Sequence, residues 1–155
     1  MQQLEATGLD RLVKNFDASA QAMKRARGEV LESLGKEMRG LLNEKIGGSG
    51  KVQGWQSAFV GSGRGYVAVR AKEKELVRTQ KGGSYAVGYV TNAIESGHTI
   101  RRPAGTDLRY ISRTRVASVP GKHMYRETAE EHMPRLASEG AKKIADATAE
   151  ALKGG

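Results

Sequence analysis

Three histidines, His98, His123 and His132, and the run Glu95-Ser96-Gly97-His98 are the residues of this chain whose types suit metal ligation or proton transfer. Glu95 and His98 bring one carboxylate and one imidazole within reach of a single ion. A structural zinc needs four ligands and a catalytic zinc three, and no second ligand pair accompanies these two. His123 and His132 fall in a stretch that reads as helix, nine positions apart, a spacing that suits a surface or an interface better than one shared ion. Gly61-Ser62-Gly63-Arg64-Gly65 has the glycine density of a phosphate loop. Tyr66 stands where Gly-x-Gly-x-x-Gly needs its last glycine, and no Gly-Lys-Ser/Thr follows, so the run reads as a turn before a strand. No serine sits in a Gly-x-Ser-x-Gly elbow. The expectation is a chain that is not an enzyme and uses no cofactor and no metal.

The other concentration of chemistry is cationic. Arg101, Arg102, Arg109, Arg113 and Arg115 are interleaved with Tyr110 and run on to Lys122 and Arg126. Residues 99–126 carry seven basic side chains and one acidic, a net +6 of the chain's +9. Residues 1–46 carry +1, residues 47–98 carry +4, and residues 127–155 carry −2. Such a patch attracts a polyanion or an acidic protein face. Arginines clamp phosphates and a tyrosine stacks on bases, but no helix-turn-helix, zinc-finger or RNA-recognition signature supports sequence-specific reading. Non-specific nucleic-acid binding through 99–126 is one reading of this segment.

The elements that must carry these residues follow from patterning. Met23, Ala26, Val30, Leu34, Met38, Leu41 and Leu42 recur at spacings of three and four, one stripe of a helix over residues 17–46. Asp17 is placed to cap its start, and Gly47-Gly48 to end it in the left-handed conformation. Gly8 to Val13 read as a short helical segment before it. Gly28, Gly35 and Gly40 inside the stripe either soften the helix or admit another backbone. Residues 55–60 read as a strand or edge. Residues 66–71 read as a strand with Val67, Val69 and Ala71 on its buried face, and residues 84–90 as a second strand. A short strand is expected at 108–111. Residues 124–152 read as a C-terminal helix with Met133, Leu136, Gly140, Ala141, Ile144, Thr148, Ala151 and Leu152 on one stripe, kinked or restarted at Pro134. The whole is a single α+β domain: a helical N-terminal region over residues 1–46, a small antiparallel sheet over 52–98, a long basic arm over 99–123 and a C-terminal helix over 124–152.

The apolar fraction is 38% with 5% aromatic, thin material for a private core and better suited to a fold completed by neighbouring subunits. There are no cysteines, which excludes disulfides and thiolate metal sites. The N-terminus lacks the pattern of a secretory signal. The most apolar run, residues 85–90, is far short of the ~20 residues of a membrane span. A soluble protein without membrane contact is expected.

The order of these elements resembles the small neck (tail-completion) proteins of lambdoid and related long-tailed phages. Gly8-Leu9-Asp10-Arg11-Leu12 is similar to that family's Gly-Leu-Asp-x-Leu start. Tyr85-Ala86 with Glu95-Ser96-Gly97 is similar to its Tyr-Ala…Glu-x-Gly-Thr motif, with His98 in place of Thr. Val119-Pro120-Gly121-Lys122-His123-Met124-Tyr125-Arg126 is similar to its Pro-x-x-Phe lead into the last helix, with Met124 and Tyr125 in place of Phe. Tyr85, Glu95, Gly97, Pro120 and Met124 are thus the motif positions. The resemblance implies a structural virion protein at the head–tail junction, present in the host cytoplasm during assembly. It implies a homo-oligomeric ring, of six copies, joining connector to tail tube, or a neighbouring role such as tail terminator. The arginines would then face DNA in the channel or pair with acidic faces of adjacent rings. Bidentate pairing at an interface is the better use, because DNA must slide through unheld.

Overall fold

A computed structural model describes residues 2–48, 50–78, 80, 82–99 and 118–153, with side chains from Gly8 onward. The chain is α+β, with helix α1 (Gln2–Ile46), a one-turn α2 (Lys51–Gly54), β1 (Gln56–Val60), β2 (Val67–Ala71), β3 (Leu76–Arg78) and β4 (Ser84–Ala86). Then follow α3 (Val87–Ser96), β5 (Gly97–Thr99), β6 (Ser118–Pro120) and α4 (Met124–Lys153). The strands form three separate antiparallel pairs, β1 with β2, β3 with β4 and β5 with β6, rather than one sheet.

Two long helices make the frame. α1 and α4 run antiparallel: Lys45 meets Glu127 at 3.1 Å, Glu37 meets Arg135 at 2.8 Å, and Gly140 lies against Val30 and Leu34. The ion pairs are exposed and fix register more than stability. Close approach is what the small residues provide. A Cβ on Gly140 would fall 2.9 Å from Leu34, and one on Gly35 would fall 2.7 Å from Val67 of the β1–β2 hairpin. Gly40 has open space around it and bears only the helix-propensity cost. Buried Val30 and Leu42 of α1, Trp55, Val87 of α3, and Met124 and Leu136 of α4 form the core among the described residues.

Several expectations change here. Residues 8–13 and 17–46 belong to one uninterrupted α1, so Asp17 lies inside the helix and caps nothing. Gly47 and Gly48, at φ +59 and +78, do end it. Of the strand expected at 84–90, only Ser84–Ala86 is extended; residues 87–96 are helical. Val87 and Thr91 are buried four apart, while Tyr89 faces solvent at 75% exposure, a helical period that β-branched and aromatic residues disguise. The short strand at 108–111 lies outside the described residues.

No new helix starts at Pro134, which sits within α4. The missing N–H leaves the Glu130 carbonyl without its helical partner, and both residues are exposed, so water serves it. Pro134→Ala is expected to stabilise the chain by about 1–3 kcal/mol, read as a rise of several degrees in thermal unfolding.

Candidate functional site

Four of the five motif positions meet at one joint. α3 ends at Gly97, β5 pairs with β6, and three residues later α4 begins. The first N–H groups of a helix have no partner within it. Glu95 supplies two of them from another element. One carboxylate oxygen accepts from the Tyr125 N–H at 3.0 Å and the other from the Arg126 N–H at 3.2 Å. The charge also sits at the positive end of the α4 dipole. The Lys122 and His123 N–H groups donate to the carbonyls of Ile94 and Glu95 at 2.8 and 3.1 Å, so both strands of the crossing are tied by main chain.

The crossing works because two glycines face each other. Gly97 has φ +78 and ψ 173, and a Cβ there would lie 2.5 Å from the Val119 carbonyl oxygen. A Cβ on Gly121 would collide with the Glu95 carbonyl. Pro120 pairs with Gly97 across the β5–β6 ladder, and Met124 is 2% exposed beneath it. Tyr85 stands elsewhere, on β4 opposite Val77. Of the Glu95–His98 pair, Glu95 accepts the two N–H groups at the α4 N-terminus, and His98 is exposed on β5. His123 precedes α4 with φ +50 instead of lying in a helix, and His132 is within α4. Among the described residues no group of three or more histidine, aspartate or glutamate side chains is placed to hold a metal ion. Among them, too, no helix is long and apolar enough to cross a membrane.

Beside the joint, the Tyr125 hydroxyl donates to Oε1 of Gln56, a residue with no solvent exposure whose Nε2 donates to the Val52 carbonyl at 2.9 Å. Burial, with the neighbouring Glu95 carboxylate, pushes the Tyr125 phenol up to about 12. The unfolded phenol ionises near 10. Stability is therefore whole below pH 10 and falls as the pH rises through the window up to 12. An ultraviolet titration should show a late-ionising phenol that is absent in Tyr125→Phe. A Tyr125→Phe spectrum that keeps the late step would contradict this.

Gly61 to Gly65 form the turn of the β1–β2 hairpin, with the Gly61 N–H donating to the Tyr66 carbonyl at 3.0 Å. A strand follows, not the helix N-terminus that a phosphate needs. Of the cationic candidates, Lys122 and Arg126 are exposed at the joint, Arg126 with a long 3.9 Å approach to Glu130. Arg101, Arg102, Arg109, Arg113 and Arg115 lie outside the described residues. The chain leaves the β5–β6 ladder at Thr99 and rejoins it at Ser118, so residues 100–117 begin and end at the joint.

Two apolar features belong to no motif. An open groove of about 660 Å³ runs between β2 and α4. Its floor is Leu31, Leu34 and Met38 of α1, with Val67 on one wall and Ala137 and Ala141 on the other. The second is the start of α1, where Leu9, Leu12, Val13 and Phe16 are 63, 51, 53 and 57% exposed. Their three- and four-residue spacing is the signal that marks them in the sequence. No protein-family model, curated protein or solved structure matches the chain.

Proposed function

We propose that this chain is a structural assembly protein of the phage head–tail junction, a neck or tail-completion subunit whose copies form a ring, of six, between connector and tail tube. One observation carries the reading. Among the described residues the protomer leaves more large apolar side chains exposed than it buries: six make the core, while residues such as Leu76, Tyr85, Tyr89 and Val119 lie on the surface. Large apolar side chains left on the surface are available for contact with other subunits. Neighbouring subunits are the natural cover.

The motif positions fit this role as architecture. Glu95, Gly97, Pro120 and Met124 build the joint at which residues 100–117, with five of the arginines, begin and end. The segment's arginines then pair with acidic faces of adjacent proteins, or contact DNA passing the channel without holding it. No catalytic step is assigned.

Head–tail joining tests this. Extracts of infected cells lacking this reading frame are expected to hold filled heads and free tails, which the purified chain joins into infectious particles. The variant with Arg101, Arg102, Arg113 and Arg115 all changed to Ala should lower joining at least tenfold while its circular dichroism stays that of the parent. Complete particles without the chain would refute the role. Tight DNA binding by the isolated chain, weakening steeply with salt, together with normal joining by the arginine variant, would favour a nucleic-acid-binding protein instead.

A further inference from the structure

α1 is longer than any described element packed on it. The register set by Lys45–Glu127 and Glu37–Arg135 brings Lys153, the end of α4, level with Ser19. Ser19 is the first buried residue among the described side chains of α1. Before it the helix overhangs, and the overhang carries the exposed Leu9, Leu12, Val13 and Phe16.

The overhang and the groove lie on one face of the same helix. At about 100° per residue, Leu9, Val13, Phe16 and Ala20 fall in the same ~60° arc as Arg27, Leu31, Leu34 and Met38. Their order is a mirror image about the midpoint between Met23 and Lys24. Ala20 answers Arg27, Phe16 answers Leu31, Val13 answers Leu34, and Leu9 answers Met38. A helix face with mirrored spacing meets an antiparallel copy of itself in register.

The geometry points to a second copy of this chain as the occupant of the groove. Two α1 helices run antiparallel about a two-fold axis between Met23 and Lys24, and each overhang seats in the other's groove. Length supports it independently. The α4 wall from Met133 to Ile144 is level with residues 28–39 of α1, and the mirror brings residues 8–19 of the second copy there. Among the described residues, 8–18 of that stretch are the part of α1 that α4 does not reach. The small walls, Ala137 and Ala141, leave room for a helix. The one polar member of the seam, Arg27, falls against the small Ala20, and its guanidinium is already turned to the Gly63 carbonyl at 3.3 Å. Covering Leu9, Leu12, Val13, Phe16 and Met23 twice, with the groove walls, removes on the order of 1,500 Å², within the range of a stable interface. The contact is isologous and closes at two copies, unlike the head-to-tail contacts of a ring. It does not depend on the phage reading.

Cysteine pairing tests it cleanly, because the chain has no cysteine of its own. Under mild oxidation of the full-length chain, M23C alone should give a covalent dimer, since the residue lies beside the axis. V13C mixed with L34C should give a mixed dimer, while V13C alone stays uncrosslinked. F16D, a change at a side chain exposed in the single copy, should convert the sedimenting dimer to a 16.7 kDa monomer with its helical signal unchanged. A V13C–L34C product without an M23C product would mean head-to-tail seating and overturn the two-fold. V13C pairing with itself, or a parent chain that sediments only as monomer, would overturn the proposal too. Head–tail joining by F16D is scored separately, so either proposal can fail alone.

Discussion

Gly97→Ala should destabilise the chain by about 2–6 kcal/mol. Two costs combine. At φ +78 and ψ 173 the backbone lies in a region open essentially to glycine alone, worth about 1–3 kcal/mol for any other residue. The new methyl would also stand 2.5 Å from the Val119 carbonyl oxygen and 2.6 Å from the Gly121 nitrogen. Both are main-chain atoms in a tied crossing and cannot swing away as a side chain does. Overpacking of this kind adds about 1–3 kcal/mol. Urea unfolding should show the midpoint falling with little change in slope. A midpoint within about 0.5 kcal/mol of the parent would mean that the joint is loose.

Glu95→Ala should cost about 2–3 kcal/mol, with Glu95→Gln recovering about half. The alanine leaves the Tyr125 and Arg126 N–H groups without their acceptor and removes a negative charge from the α4 N-terminus. A charge-assisted hydrogen bond is worth about 1.5–3 kcal/mol, and losing a helix cap about 1. Solvent reaches Arg126 and repairs some of the loss, so the two bonds do not add in full. Glutamine keeps one acceptor oxygen and forfeits the charge. Amide exchange should report the same event locally, with faster exchange at the first turn of α4 and little change in the middle of α1. Equal loss of protection throughout would assign Glu95 a global role instead.

How much of the molecule is legible in the sequence depends on period and length. α1 and α4 are long enough for their three- and four-residue spacing to declare them, and Gly47-Gly48 marks the end of α1 because positive φ is needed there. Val67, Val69 and Ala71 alternate as a strand should, and they line the inner side of the hairpin. Val87 to Ser96 imitates a strand because ten residues hold fewer than three helical turns, and Tyr85, Val87 and Tyr89 alternate as well as a strand does. Glu95 and Gly97 are visible as a motif, yet their partners lie more than twenty positions away, beyond residues 100–117. Only the fold reveals that the carboxylate caps the N-terminus of α4. Gly121 and Gln56 carry no signal, since a close backbone crossing and a buried amide–phenol bond have no local pattern. The groove is hidden for a related reason: Leu34 and Met38 read as core, and nothing in their spacing says that one side of them stays open.

On the proposed reading a single copy is incomplete and covers its apolar faces with other copies of itself. Sedimentation velocity of the purified full-length chain across a hundredfold range of concentration tests it most directly. Species heavier than 16.7 kDa that grow with concentration and persist at high salt are the predicted result, because apolar burial is not screened by ions. A single 16.7 kDa species at every concentration would contradict it.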